Sequence, residues 1–569
     1  MKLNIDFKPR LFYLFRKGAY DKTTFKDDLI AGIIVGIIAL PLAIAFGIAS
    51  GVTPQQGLIT AIVAGFVVSF LGGSKFLIGG PTGAFIVIVY GIIGQYGIDG
   101  LIAATLMAGI ILILMGIFKL GNIIKFIPYP IVVGFTSGIA LVIFSTQIKD
   151  FLGLQIENVP SGFLEQWGCY FKNLDKINYQ EAGLSITCLV IIFLWNKITK
   201  VIPGSFIAIV FGIIATVIST HIDGLSFQTI GGRFPELASG MTLPAPKLPA
   251  LDITTIRSLV SPAFTIAMLC AIESLLAAMV ADGVTSSKHN SNTELIGQGA
   301  ANIFSSLFGG IPATGAIART MANIKNGGKT PIAGIIHAVV LLIIFYFLLP
   351  YAVYIPMACL ASILIVVAYN MSEWKTFKYL LKAERSDVIV LLITFFLTVV
   401  VDLTVAIEVG IVLAIILFVK RVSETSTVKI SSDNDKYIAA TENEEAAMLE
   451  STEKLSIPKG VQIYEIDGPF FFGLASKLEE TDSLRSGVKV RIIRMRKVPF
   501  IDSTGVNNLR NLWMRSEKDG IVVILSGVKD EVYETLNKFG LVEEIKKEHI
   551  YSHIIPALAK ANELVIATK

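Results

Sequence analysis

The chain has 569 residues, 53% hydrophobic and only 16% charged, with a mean hydropathy of +0.70, too apolar for a soluble protein of this size. It reads as an integral membrane protein. The net charge of +4 comes without a basic patch interleaved with stacking aromatics, which excludes a nucleic-acid binder. Cys188, Cys270 and Cys359 lie in apolar runs and Cys169 alone in a loop, none at metal-ligand spacing, so no metal, cofactor or disulfide is expected.

Residues 1–25 form a basic segment assigned to the cytoplasm, and no short apolar core there precedes a small-residue cleavage site. The first span is therefore expected to anchor the chain. Apolar runs read as spans, roughly 17 to 25 residues where they cross a bilayer, lie near 26–48, 54–72, 77–96, 100–118, 124–148, 182–196 and 202–220, then near 258–281, 292–308, 311–324, 330–350, 353–370, 385–401 and 403–420. That makes fourteen. With the N-terminus inside, Lys75, Lys119, Lys197, Lys288, Lys325, Lys375, Lys420 and Arg421 all fall inside, while Asp99 and the longer mixed loops 150–181 and 221–257 fall outside. Seven spans per half is an odd number, so residues 258–421 are expected to sit upside-down relative to 26–220, a 7+7 inverted repeat within a transport domain of residues 26–421.

One short element occurs twice in that scaffold. Gly79, Gly80, Pro81, Thr82, Gly83 and Ala84 open one apolar run, and Gly309, Gly310, Ile311, Pro312, Ala313, Thr314, Gly315 and Ala316 open another. A glycine pair cannot form the middle of a stable helix, and Pro follows where a helix can start. Both copies therefore read as half-helices beginning inside the bilayer, with unpaired N–H groups and positive dipole ends turned toward something negative. Gly80, Thr82, Gly83, Thr314, Gly315 and Ala316 are the expected cradle. The threonine hydroxyls either donate to a substrate or cap the helix ends.

Two charged residues stand out beside the cradle. Arg319 lies seven residues past Pro312, roughly 10 Å along a helix at about 1.5 Å per residue, and reads either as an intramembrane cation or as one snorkelling to the interface. Glu273 is flanked by apolar residues near the middle of a span, where an acid is a functional candidate or the structural partner of Arg319. Two half-helix ends contribute about +0.5 each and Arg319 +1, so a dianion suits the pocket. An ionised Glu273 at ~8 Å, with an effective dielectric of ~20, costs that dianion roughly 4 kcal/mol. Protonation of Glu273 and anion binding would then favour each other, which points to proton-coupled symport. His337, in an apolar span, reads as a hydrogen-bonded core histidine or a proton relay.

Residues 422–458 are polar and charged, a cytoplasmic linker that frays or forms one short helix. Residues 459–569 have the composition of a small soluble α/β domain. Strands are expected at 462–466, 488–494 and 521–525, with helices at 473–483, 503–517 and 529–539. The domain has no nucleotide-binding glycine loop and no catalytic triad, and the chain is not expected to be an enzyme.

The stretches 37–46 (IIALPLAIAF), 79–84, 271–276 (AIESLL), 288–299 (KHNSNTELIGQG), 309–323 (GGIPATGAIARTMAN) and 334–338 (GIIHA) together resemble the SulP family of anion transporters. The C-terminal domain resembles the STAS module those carriers share with anti-sigma-factor antagonists, with FIDSTG at 500–505 as its signature. Within the family, 309–323 and VAYNMSEW at 367–374 are similar to bacterial carriers of four-carbon dicarboxylates.

The resemblance implies an inner-membrane, multi-pass homodimer with both termini cytoplasmic, carrying a small anion such as fumarate or succinate. Sulfate or bicarbonate is the alternative, and an anion sensor that signals through STAS is the alternative from another class. It puts Arg319 at the anion site and aligns Phe46 with an aromatic that lines that site, an ordinary packing Phe being the other reading. Sodium-coupled bicarbonate members carry an Asp at the position of Glu273 and a Thr at that of Ala277, so a proton is the simpler coupling ion here. Prestin-like members carry a Ser where Ala318 stands, which leaves more to backbone N–H groups. In the STAS module, Ser503 and Thr504 match the position phosphorylated in the antagonists, or serve only as turn and cap residues, and a cytoplasmic protein partner of the module is implied.

Overall fold

The computed structural model describes residues 7–17, 20–122, 128–156, 159–160, 162–199, 203–235, 244–249, 252–347, 349–401, 403–431, 436–437, 455–473 and 487–567. The chain divides into two units, Met1–Ala414 and Ile415–Lys569.

In the first unit the apolar runs become helices whose ends follow local chemistry. Helix α1 (Lys22–Ala49) opens on Asp21, whose carboxylate accepts from the N–H of Thr24, and contains Pro41. Helix α2 (Pro54–Leu71) opens on a reciprocal capping box of Thr53 and Gln56, with Pro54 in the first turn, where its missing N–H costs nothing. A two-residue strand β1 (Gly79–Gly80) and a 3-10 turn (Gly83–Phe85) lead into α3 (Ile86–Ile117). Gly97, at φ 69°, breaks α3 into the two segments expected as separate spans. Then come α4 (Tyr129–Leu152), α5 (Phe163–Lys172), α6 (Tyr179–Ile198) and α7 (Gly204–Ser219).

The second half repeats the order. It comprises α8 (Val260–Thr285), α9 (Ser291–Leu307), strand β2 (Thr314–Gly315), α10 (Ile317–Lys325), α11 (Pro331–Phe347), α12 (Met357–Met371), α13 (Arg385–Val400) and the start of α14 (Leu403–Thr425), whose residues from Ile415 on are counted with the second unit. Each half is two helices, a two-residue strand, a short helix, then four more segments, with α5 as an addition between spans. Six described helices are long and apolar enough to cross a membrane, and Tyr179–Trp195, Gly204–Ser219 and Pro331–Phe347 are shorter apolar helices.

Small residues let these helices approach. A Cβ added at Gly109 would come 2.7 Å from the carbonyl oxygen of Gly299, and one at Gly299 2.5 Å from that of Gly109, so α3 and α9 cross backbone to backbone. Buried acids tie loops to helices. The Asp28 carboxylate accepts from the N–H groups of Lys329 and Thr330 and from the Thr330 hydroxyl, and Glu294 accepts from the N–H groups of Gly73 and Ser74 and from the Gln298 amide. A buried carboxylate without such donors would cost several kcal/mol.

One sequence expectation fails here. The second half-helix does not start at Pro312: residues up to Gly315 are extended, because β1 and β2 pair antiparallel, Gly79 opposite Gly315 and Gly80 opposite Thr314. Helix α10 begins only at Ile317, so Arg319 lies in its first turn rather than ~10 Å along it. The first half-helix likewise begins at Gly83, after extended Thr82.

The second unit holds a five-stranded sheet in the order β3 (Thr427–Ser431), β4 (Val461–Asp467), β5 (Val490–Lys497), β6 (Val522–Ser526), β7 (Ile550–Tyr551). The β3–β4 pair is antiparallel and the others parallel. Helices α15 (Ser503–Lys518), α16 (Asp530–Lys538) and α17 (Ile554–Ala567) accompany the sheet, with two apolar clusters built on alternating strand residues. Three strands match expectation, and β3 and β7 do not. Residues 427–431, expected in the linker, form the edge strand of the sheet, since Val428 and Ile430 pack against one of those clusters. The helix expected over 473–483 lies, beyond residue 473, outside the described residues, as do 432–435 and 438–454 of the linker.

Candidate functional site

The two copies of the repeated element meet at the β1–β2 ladder. An antiparallel ladder sends the chains leaving it in opposite directions, so the helices that follow turn their N-termini toward the same small volume. The N–H groups of Gly83 and Ala84 in the first copy, and of Ile317, Ala318 and Arg319 in the second, find no acceptor among the described residues. These are the orphan donors of a helix start, carrying the positive end of the dipole.

The ladder is held from outside by side chains. Asn302 on α9 brackets the Ala313 peptide, accepting from its N–H and donating to its carbonyl, both at 2.9 Å. The Thr60 hydroxyl accepts from the N–H of Ile311 at 2.8 Å, and the Thr320 hydroxyl from that of Ile78 at 3.1 Å. Ala316 donates its N–H to the Ile78 carbonyl at 2.9 Å. None of Asn302, Thr60 or Thr320 was singled out from sequence. The signal was there in Asn302, a carboxamide inside an apolar span.

Arg319, 1% exposed, reaches across the ladder. Its Nη2 donates to the Pro81 carbonyl at 2.6 Å, while Nη1 is buried with no partner. Gly80 is required there twice, because its φ is 152° and because a Cβ would overlap Arg319 Nη1. Snorkelling is thereby ruled out as a description of Arg319. One residue beyond Pro81, the Thr82 hydroxyl donates to Glu273 Oε2 at 3.0 Å, and no ion pair joins Glu273 to Arg319 among the described residues. Phe46 is buried, and a Cβ on Gly83 would lie 3.5 Å from its ring.

Phe46, Gly80, Thr82, Gly83, Glu273 and Arg319 are therefore brought together at the mouth of the first half-helix. The second copy is placed differently from expectation. Thr314 is fully buried in β2, not in a helical turn, and its hydroxyl donates to the Cys270 carbonyl at 3.0 Å. Gly315 is packed against Leu77, and Ala316 caps α10 with its own N–H already paired. His337 is fully buried, and neither ring nitrogen has a hydrogen-bond partner. In the second unit, Asp502 caps α15 by accepting from the N–H of Gly505 at 2.7 Å, which leaves Ser503 and Thr504 exposed in the first turn.

A broken-helix inverted repeat with two helix starts and an arginine converging at its centre defines a membrane carrier for something negatively charged. Residues 25–394 match the Sulfate permease family and 454–561 the STAS domain, and the chain belongs to that family. A putative sulfate transporter of Bacillus subtilis, YvdB, is 40% identical over 540 residues, 95% of this chain and 98% of the relative. The bicarbonate transporter BicA of a Synechocystis is 30% identical over 517 residues, 89% of this chain and 88% of the relative. Among solved structures, the transmembrane domain of a cyanobacterial BicA covers 68% of this chain and 98% of its own at a TM-score of 0.61 and 32% identity. SLC26A9 covers 97% of this chain and 92% of its own at a TM-score of 0.84 and 19% identity, a likeness of fold.

Proposed function

We propose that this anion transporter carries a small oxyanion of the sulfate or bicarbonate class, bound at the mouth of the first half-helix. The observation that carries the reading is the adjacency of two polar links, Arg319 to the Pro81 carbonyl and Thr82 to Glu273, beside helix-start amides that lack acceptors. Arg319 Nη1 and the amides of Gly83, Ala84, Ile317 and Ala318 supply donors for oxyanion oxygens, and Phe46 closes the apolar side. The names of the relatives favour sulfate and bicarbonate over the four-carbon dicarboxylates suggested by residues 309–323 and 367–374.

Glu273 is the proposed proton-coupling group. An ionised carboxylate on the Thr82 hydroxyl places negative charge at the anion's position, so anion binding favours its protonation and, by linkage, protonation favours anion binding. Thr82, freed when Glu273 is protonated, becomes a further donor. Acid on the loading side then raises uptake. The proposal extends to a homodimer in the inner membrane with cytoplasmic termini, and to phosphorylation at Ser503 or Thr504. Both hydroxyls are exposed at a helix start, where a phosphate is electrostatically favoured.

Uptake of labelled sulfate, bicarbonate and fumarate into proteoliposomes of the full chain, with and without proton and sodium gradients, tests the reading. Sulfate or bicarbonate uptake that rises with a proton gradient supports it, and the response to the gradient disappears in Glu273→Gln while counterflow exchange persists. Fumarate uptake alone restores the dicarboxylate reading. A sodium requirement, or unchanged pH dependence in Glu273→Gln, removes the proton role.

A further inference from the structure

A cavity of about 520 Å³ lies between α1, α3, α4, α5, α12 and the end of α13. Neither Arg319 nor Glu273 lines it, but Ala45 and Ile86 do, and these are chain neighbours of Phe46 and of the turn that starts the first half-helix. Its wall thus includes the residue before Phe46 in sequence. It opens at the end of α1 opposite the basic N-terminal segment, since Ile48, Ala49 and Gly51 are also in its wall.

Its wall near the opening is polar. Asp150 is paired with Arg233 at 3.2 Å, which cancels that carboxylate, whereas Lys149 has no ion-pair partner among the described residues. Glu181 lies behind the wall rather than in it, with its carboxylate accepting from the N–H of Gln228. Tyr170 is 2% exposed and its hydroxyl has no partner. Beside it, Gln166 accepts from the Ser145 hydroxyl at 2.7 Å, which fixes its carbonyl oxygen on Ser145 and leaves its amide N–H₂ to donate elsewhere. A buried hydroxyl left without an acceptor is a standing cost that an acceptor entering the cavity would relieve. Burial, and then the nearby Asp150 carboxylate, hold the phenol above its ordinary range, so at neutral pH it keeps the proton it can donate.

We propose that this cavity contains a second, outer anion subsite, in which an oxyanion accepts from the Tyr170 hydroxyl and the Gln166 amide and is attracted by Lys149 before it passes Phe46. The inference rests on the oxyanion-carrier reading of the central site. Its ligand is the same class of small oxyanion, held by neutral donors and one cation rather than by a buried arginine. A site of this kind is weaker than the central one and acts by raising local anion concentration at the entrance.

The test is the sidedness of substrate affinity in proteoliposomes holding the full chain in known orientation, with labelled sulfate or bicarbonate as probe. Tyr170→Phe, which keeps the ring and its packing, and Lys149→Gln each raise the half-saturating concentration about fivefold on the cavity face. On the opposite face it stays unchanged, and maximal rates stay within about twofold. Tyr179→Phe, at an exposed position outside the cavity, changes neither. Unchanged half-saturation in both cavity variants, or an equal rise on both faces, overturns the subsite while leaving the carrier reading intact. A wild-type chain that takes up neither oxyanion overturns both.

Discussion

Thr82 and Thr314 occupy matching places in the two copies of the repeat, and their hydroxyls are spent differently. Thr82 donates to the Glu273 carboxylate and Thr314 to the Cys270 carbonyl. Both acceptors belong to α8, one turn apart, so a single helix braces both copies. At the first copy it offers a group that can change charge. At the second it offers a backbone oxygen that cannot. The scaffold repeats, but the carboxylate meets only the first copy, while the second adds its helix-start amides and Arg319, which reaches across the ladder to Pro81. Symmetry here fixes where two helix starts converge, and it leaves each side chain's use to the neighbour it meets.

The largest expected effect comes from removing the one residue that crosses between copies. Arg319→Ala leaves the Pro81 carbonyl without its donor and the site without its cation, and initial uptake rates should fall at least ~100-fold, while Arg319→Lys, which keeps the charge but loses the fork, recovers only part. If Arg319→Ala transports normally, the crossing is structural. Next come the ladder glycines. Gly80→Ala puts a Cβ into Arg319 Nη1 and should reduce uptake roughly tenfold or more, whereas Gly315→Ala meets the flexible Leu77 side chain and should lower thermal stability more than affinity.

Asn302→Ala, which frees the Ala313 peptide on the second side only, should destabilise the chain by about 2 kcal/mol in a detergent unfolding assay, with a smaller change in anion affinity. A pure affinity loss would mean that the Asn302–Ala313 bracket positions the anion donors rather than supporting the fold. The smallest effect belongs to Lys329, outside the spans, which ties the loop before α11 to Asp27. The hydrogen bond to Asp27 holds its ammonium above the ordinary lysine range. A raised lysine contributes at and below neutral pH and is lost only as pH climbs through the raised value. Lys329→Gln should therefore give no resolvable change in Tm or in its pH dependence around neutrality.

Much of this arrangement could be read in the amino acids. Hydropathy placed the fourteen segments because membrane-crossing length leaves a long signature, and Glu273 and Arg319 were conspicuous as charges in apolar runs. The ladder was not legible, because two residues cannot show a strand's alternation and Pro312 followed by Thr-Gly-Ala looks like a helix start. Nor were the partners of the charges. Arg319 and Thr314 both bond to backbone oxygens, which carry no residue identity. Strand β3 was missed for a similar reason: TVKIS is short, and it sits in a charged stretch whose composition reads as linker.

The central claim is that, of the two matching threonines, Thr82 serves the anion site and Thr314 only braces the ladder. Binding of the transported oxyanion to purified full-length protein, measured side by side for Thr82→Val and Thr314→Val, tests this most directly. The expected result is an affinity loss of about fivefold or more, together with a lost pH dependence, in Thr82→Val, and unchanged affinity with lowered stability in Thr314→Val. Equal affinity losses in the two variants, or a loss confined to Thr314→Val, would contradict the account.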